Sequence, residues 1–128
     1  LEFAFDEENS RYLPHNYIKN SVVYPATHDN DTVAGWLSKL DADSQRKISD
    51  YTGAKSRNQL TDAVIRTAYA SVSELCIVQM QDVLGLGSSA RMNKPSTATG
   101  NWKWRMSESQ FGDNIVAKLR KLAALYGR

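Results

Sequence analysis

The sequence predicts an α/β fold in which parallel strands alternate with helices. Three apolar runs have strand character: residues 1–5, 22–26 and 75–80. Apolar residues recur at helical spacing between the last two runs, and strands joined through helices pair in parallel by right-handed crossovers. Three such strands would make a thin open sheet with unprotected edges. We therefore predict one helix-rich unit over residues 1–128, incomplete on its own, with further chain expected upstream of Leu1.

The composition is that of an ordinary soluble globular protein. Lys and Arg number 16 and Asp and Glu 14, for a formal charge of +2, so charge gives no reason to expect nucleic acid or an anionic membrane as partner. No apolar run approaches the roughly 20 residues that span a bilayer. The single cysteine, Cys76, excludes an intramolecular disulfide and favours a cytoplasmic protein. We interpret Cys76 as a small core residue.

The first half of the chain has clear helix boundaries. Residues 6–19 form a predicted loop that is rich in aromatic and amide side chains. Val33, Trp36, Leu37 and Leu40 then mark a helix. A second helix is predicted from Asp41, which supplies a capping oxygen, to Gly53, which suits a C-terminal stop.

The second half contains two predicted capping boxes. Ser56 with Gln59 precedes an amphipathic helix to about Ser73, and Ser107 with Gln110 precedes the last helix, which Gly127 ends. Residues 75–80 are continuously apolar up to Val78, which is typical of a strand covered on both faces. The glycine-rich segment at 85–87 lacks the remaining residues of a dinucleotide or P-loop motif and is interpreted as a tight turn.

A polar cluster, THDNDT at 27–32, follows the second predicted strand at its carboxyl end, where ligands bind in strand-helix folds. Three interpretations are open from the residues alone. Asp31 or Thr32 could simply cap the next helix while Asp29 stabilises the turn. Asp29 and Asp31 could instead hold Mg²⁺, as the Asp-x-Asp pair does in haloacid dehalogenase-like phosphatases, although the strand does not run directly into Asp29. Finally, His28 and Asp29 could bind sugar hydroxyls and stabilise an oxocarbenium-like transition state.

Longer blocks carry a resemblance to a known family. They are THDNDT at 27–32, QDVLGLGSSARMN at 81–93 and GNWKWR at 100–105, supported by LPHNY at 13–17 and NSVVY at 20–24. In this order they resemble the C-terminal blocks of the 4-α-glucanotransferases, the amylomaltase or disproportionating enzymes of the α-amylase superfamily. The family usually has Gly-Thr before the histidine, where this chain has Ala26-Thr27.

The resemblance implies a fold and a set of site residues. The family has a (β/α)₈ barrel, which takes about 250 residues, so this chain would be its C-terminal portion, with the three apolar runs as strands six to eight. Asp29 matches the third catalytic carboxylate. His28 matches a neighbouring substrate-binding histidine, and Asn93 is a predicted substrate-binding residue. The nucleophilic Asp and the acid/base Glu follow strands four and five, and would lie upstream of Leu1.

The implied activity is transfer of α-1,4-glucan segments between maltooligosaccharides by a retaining mechanism. Neither metal nor organic cofactor is implied, and the expected partner is a maltooligosaccharide or α-glucan. The chain alone is expected to be inactive and to self-associate. Two other classes stay open, a Mg²⁺-dependent phosphatase and a non-catalytic glucan-binding or assembly module.

Overall fold

The computed structural model describes residues 1–7 and 9–128. Within these residues the chain is helix-rich, with five α-helices and one small sheet. The α-helices are α1 (Val33–Lys39), α2 (Ala42–Thr52), α3 (Leu60–Ala70), α4 (Met80–Val83) and α5 (Asp113–Tyr126), and the strands are β1 (Val22–Val23) and β2 (Leu75–Cys76). Short 3₁₀ helices lie at Glu2–Phe5, Pro14–Asn16, Arg57–Gln59, Ser88–Ala90 and Glu108–Gln110. The predicted loop at 6–19 is irregular apart from Pro14–Asn16, and Glu8 lies outside the described residues.

The two strands pair in parallel, as predicted. Val22 lies opposite Leu75 and Val23 opposite Cys76. The Ile77 amide continues the ladder by donating to Val23 O at 2.9 Å. The chain between the strands contains α1, α2 and α3, so the crossover that the sequence pattern predicts is present.

The prediction of a strand at residues 1–5 is wrong, because this segment forms a 3₁₀ helix. No strand lies beside it in the described chain, so its backbone groups bond locally: the Ala4 amide donates to Leu1 O at 2.8 Å. The turn places both Leu1 and Phe5 against the core cluster, while Phe3 is 61% exposed.

Both remaining strands are shorter than predicted. The strand that was expected to reach Ala26 ends at Val23, because Pro25 has no amide to donate. The next two carbonyl oxygens, those of Tyr24 and Pro25, accept hydrogen bonds from the Leu1 ammonium group at 2.7 and 2.9 Å. Because β1 has only two residues, β2 has no longer strand to pair with, and it ends at Cys76, four residues short of the predicted bound.

The expected burial of the last strand is also wrong. Leu75 is 52% exposed and Ile77 40% exposed, so this strand is not covered on both faces. Cys76 is half-buried, and burial is the main cause that raises the pKa of its thiol.

Helices α1 and α2 begin and end as their local signals predict. Thr32 Oγ1 accepts from the Gly35 amide at 3.0 Å at the start of α1, and Asp41 Oδ1 accepts from the Ser44 amide at 2.7 Å at the start of α2. Gly53 ends α2 in the left-handed region at φ +73°, a conformation that favours glycine.

Helix α3 is the central element of the core. Leu60, Val64 and Ala68 recur at a spacing of four residues and are at most 2% exposed. This face of α3 packs against α1 and α2, with α4 and α5 as further neighbours. The helix ends at Ala70, three residues before the predicted bound. The predicted Ser56 cap is absent, and Gln59 Oε1 accepts from the Lys55 amide and not from the Ser56 amide.

Helix α5 is attached to α3 and α4 by polar contacts. Lys118 Nζ donates to Asp62 Oδ1 at 2.6 Å and to Val83 O at 2.9 Å. The predicted bond from the Ser107 amide to Gln110 Oε1 is present at 2.9 Å, but it leads only into a 3₁₀ turn. The helix itself begins at Asp113 and, as predicted, ends at Gly127.

Candidate functional site

The turn after β1 presents two polar side chains to solvent. Asn30 Oδ1 accepts from the backbone N–H of Thr27 at 2.9 Å and from the Thr27 hydroxyl at 2.7 Å. The backbone N–H of Asn30 donates in turn to Thr27 O. This closed turn leaves His28 and Asp29 at its tip, with side chains that are 55% and 53% exposed. Both groups are therefore fixed at the backbone and accessible to a ligand.

The Asp29 carboxylate lies between His28 and Asn93. Asn93 Nδ2 donates to Asp29 Oδ1 at 2.7 Å, and His28 Nε2 lies 3.4 Å from the same oxygen. In the described part of the chain, Asp29 Oδ2 accepts no hydrogen bond. The structure thus brings together all three predicted site residues and leaves one carboxylate oxygen available.

The loop that follows α4 holds the turn at the backbone as well. The Asn93 amide donates to His28 O at 3.0 Å, and Arg91 Nη2 donates to Asp29 O at 2.5 Å. Arg91 Nε also donates to Asn93 O at 2.7 Å. Arg91 therefore joins the turn to the loop. In the sequence, Arg91 lies within the block at 81–93 that carries the family resemblance, and no local signal indicates its role.

Trp102 forms one side of the site. Its ring lies 5.1 Å from the His28 ring between centroids, at an interplanar angle of 38°. Its amide donates to Met92 O at 2.7 Å, and its backbone has φ +61°, an unusual conformation for a bulky residue. The ring is 54% exposed, so Trp102 stacks at the surface of the site. This exposed aromatic ring beside a polar turn is available to stack on a ligand ring.

Asp31 has a different environment from Asp29, although it lies two residues away. Its side chain is 7% exposed and accepts from the Thr32 amide at 2.8 Å, from Ser88 Oγ at 2.7 Å and from Lys39 Nζ. Burial alone would raise the pKa of Asp31, but the hydrogen bonds from Lys39, Ser88 and Thr32 hold that pKa below its usual range. Asp31 is an ionised internal group, and the α1 cap is Thr32.

Two more acids, Asp82 and Glu2, are buried nearby and form no direct ion pair among the described residues. Asp82 is fully buried, and its Oδ1 accepts from the Val33 amide at 2.7 Å. Asp82 Oδ2 and Glu2 Oε1 have no hydrogen-bond partner among the described residues. Burial is the main cause that raises the pKa of Asp82 to about 6 and that of Glu2 to about 8. For both carboxyl groups, burial makes ionisation less favourable than it is in water.

A phosphatase site is not supported by this geometry. The Mg²⁺ interpretation needs Asp29 and Asp31 to act on one ion, but the Asp31 oxygens are occupied by Thr32, Ser88 and Lys39. Within residues 1–7 and 9–128, no group of three or more His, Cys, Asp or Glu side chains could hold a metal ion.

Two large surface cavities lie away from His28 and Asp29. One has a volume of about 580 Å³ and is lined by residues that include His15, Tyr51, Arg66 and Tyr126. Their hydroxyl groups are mostly bonded within the protein: Tyr51 OH lies 3.0 Å from His15 Nδ1, and Tyr126 OH accepts from Arg66 Nε. The candidate site is instead an open surface.

Among the helices of the described chain, none combines the length and the apolar character that spanning a bilayer requires.

Comparisons with known proteins agree on one family. The family profile described as 4-alpha-glucanotransferase matches residues 1–110. The chloroplastic/amyloplastic 4-alpha-glucanotransferase of Arabidopsis thaliana is 45% identical over 132 residues, which cover 100% of this chain and 23% of that protein. The 4-alpha-glucanotransferase of Synechocystis sp. is 45% identical over 130 residues, or 26% of its length.

The solved structures give a matching result. The amylomaltase from Streptococcus agalactiae in complex with acarbose superimposes with a TM-score of 0.94 at 37% sequence identity. That match covers 99% of this chain and 26% of the amylomaltase chain. The present chain therefore spans about a quarter of the length of the proteins that it resembles.

Proposed function

The chain belongs to the 4-alpha-glucanotransferase family, and on that basis we propose that it forms the C-terminal part of the catalytic barrel of such an enzyme. In this proposal residues 1–128 are one segment of a (β/α)₈ barrel, with β1 and β2 as two neighbouring barrel strands. Their parallel pairing supports this assignment. The exposed side chains of Val22, Leu75 and Ile77 would then be covered by the other strands.

The proposed reaction transfers an α-1,4-glucan segment from one maltooligosaccharide to another with retention. Retaining transfer needs a carboxylate nucleophile and an acid/base about 5 to 5.5 Å apart, and we propose that both lie in another part of the enzyme. This chain would contribute a third carboxylate, Asp29. As positive charge develops on the donor sugar ring, a carboxylate that is already held in place stabilises it without reorganisation.

The observation that carries this proposal is the arrangement of one carboxylate between two polar side chains. Asn93 and His28 both contact Asp29 Oδ1, which leaves Oδ2 directed to no protein partner in the described chain. We propose that Oδ2 binds a hydroxyl of the donor sugar, with His28 and Asn93 as further hydroxyl-binding groups. Trp102 would stack against a sugar ring, since its face is exposed beside His28.

Asp29→Asn in the full-length transferase tests this role. The substitution keeps the size of the side chain and removes its charge. We expect kcat for disproportionation of maltotriose to fall by about 10²- to 10³-fold, in the range for loss of one transition-state contact, with a much smaller change in KM. The control is Asp43→Asn, an exposed acid of α2, which should keep wild-type kcat. A near-normal kcat for Asp29→Asn would remove this residue from the catalytic set.

The chain by itself should release no glucose from maltotriose, since one carboxylate cannot act as both nucleophile and acid/base. We also propose that it self-associates through its exposed strand residues. Measurement of mass in solution together with a glucose-release assay tests both points. Turnover by a monomer would contradict this division of roles, whereas maltotriose binding without turnover by the full-length protein would favour a non-catalytic binding module. A cytoplasmic location remains a prediction, and plant relatives are named chloroplastic/amyloplastic.

A further inference from the structure

A second contact joins the same two segments as the Asp29–Asn93 pair. Ser88 Oγ donates to Asp31 Oδ2 at 2.7 Å, across 57 residues of sequence. Asp31 follows Asp29 by two residues, and Ser88 begins the short 3₁₀ helix that leads to Arg91 and Asn93. The turn and the loop are therefore joined at the buried carboxylate as well, in addition to the contacts that Arg91 and Asn93 make at the tip of the turn.

The buried contact depends on a glycine in α1. A Cβ atom at Gly35 would lie 2.5 Å from Ser88 Oγ and 2.7 Å from Asp31 Oδ1, closer than van der Waals contact allows. Glycine inside a helix destabilises it by up to about 1 kcal/mol relative to alanine. The backbone of Gly35 is helical and needs no positive φ. Its use at this position is therefore explained by the space that Asp31 and Ser88 occupy.

The charge of Asp31 is compensated inside the protein. Lys39, the last residue of α1, donates to Oδ2, and the Thr32 backbone N–H donates to Oδ1. These donors keep the carboxylate ionised, so the Ser88 bond is of the charge-assisted kind, which is shorter and stronger than a neutral hydrogen bond. Such a bond is suited to holding two loops in one relative position.

We propose that Asp31 and Ser88 are positioning residues for Asp29. Their contact, made possible by Gly35, fixes the turn at 27–32 against the loop at 88–93, so that Asn93 and His28 meet Asp29 in one geometry. This inference rests on the proposed function of Asp29 and goes beyond it, because neither Asp31 nor Ser88 contacts the substrate in this scheme. A displacement of about 1 Å in a reacting group can lower a rate by about a hundredfold.

Ser88→Ala in the full-length transferase is the direct test. It removes one donor from Asp31 and leaves the bonds from Lys39 and Thr32. We expect kcat for maltotriose disproportionation to fall by about ten- to a hundredfold, with KM close to wild type and a small fall in the thermal midpoint from the lost hydrogen bond. Ser88→Thr should keep most of the wild-type rate, because threonine retains the hydroxyl group and residue 88 is exposed, which leaves room for the added methyl group. The matched control is Ser89→Ala, the exposed neighbour, which should keep full activity.

Gly35→Ala provides a second variant in case Ser88→Ala does not fold. It should retain α1, since alanine favours the helix, and lower kcat by a similar factor by displacing Asp31 and Ser88. A wild-type kcat in Ser88→Ala would overturn the positioning role. The role would also be overturned if Ser88→Thr lost as much rate and as much thermal stability as Ser88→Ala does. If Asp29→Asn also keeps wild-type kcat, both proposals fail, whereas a normal Ser88→Ala beside an inactive Asp29→Asn refutes only this one.

Discussion

Replacement of Asp82 by Asn should change how the stability of the chain depends on pH. The Asp82 side chain is fully buried, and one oxygen accepts from the Val33 amide while the other has no partner in the described chain. Asn keeps an acceptor for Val33 and removes the ionisable group. Burial is the largest cause that raises the pKa of Asp82 to about 6, the Val33 bond opposes it, and the charge of Asp31 adds to the rise.

The size and sign of the effect follow from the pKa. An unperturbed Asp has a pKa of 3.8 and the folded protein a value of about 6, so full ionisation costs the folded state about 3 kcal/mol. Between these two values the folded state binds more protons than the unfolded state. The free energy of unfolding of the wild type therefore falls as pH rises through this window. Asp82→Asn removes this dependence, and its advantage over wild type should grow from near zero at about pH 4 to about 3 kcal/mol above about pH 7.

The assay is urea unfolding of wild type and variant from about pH 4 to about pH 8, at one protein concentration because association adds to apparent stability. Glu2, whose pKa burial raises to about 8, is present in both proteins, but the charge of Asp82 contributes to that rise, so the Glu2 titration adds a smaller pH-dependent difference between them. Asp50→Asn, at an exposed position in α2, is the control and should change stability by no more than about 0.5 kcal/mol. Parallel curves for wild type and Asp82→Asn would refute the argument that burial governs this carboxyl group.

Two further predictions concern helix ends and the packing of α5. Asp41→Ala should destabilise the chain by about 1 kcal/mol, because it removes the acceptor for the Ser44 amide, and a urea midpoint equal to wild type would contradict this role. Ile115→Ala should lower the free energy of unfolding by about 2 to 4 kcal/mol, because Ile115 is buried. Leu119→Ala should lower it less, since Leu119 is half-exposed. Gln110→Ala removes only the acceptor for the Ser107 amide and should lower it by at most about 1 kcal/mol. Equal midpoint shifts in these three variants would show that α5 does not pack through Ile115.

Elements whose signals are local could be predicted from the sequence. The capping oxygen of Asp41 and the stop at Gly53 lie at the ends of the helix that they bound and act as expected, and of the two caps considered for α1, Asp31 and Thr32, it is Thr32 that accepts from the Gly35 amide. Strand lengths could not be predicted in this way, because a strand exists only where another backbone accepts its hydrogen bonds. The run at residues 1–5 has strand composition, yet with no neighbouring strand in the described chain it forms a 3₁₀ helix.

The candidate site shows the same division. His28 and Asp29 are adjacent in sequence, so a polar turn after a strand was enough to select them. Asn93 was selected only through the family resemblance, and its bond to Asp29 spans 64 residues. Nothing local indicated that Asp31 would bond to Ser88, which lies 57 residues further along the chain. The short spacing of Asp29 and Asp31 instead suggested a shared metal, and their separate environments do not support that interpretation.

The three acids around this turn are distinguished by their surroundings. Asp82 is fully buried, so no ligand can reach it, and burial raises its pKa to about 6. Asp31 is ionised but enclosed by Lys39 and Ser88, so no sugar can reach it. Asp29 alone of the three is both exposed and held by side chains that leave one oxygen available. A stabilising carboxylate needs accessibility and a fixed position together, and the contacts of Asp31 can supply the second property while Asp29 retains the first.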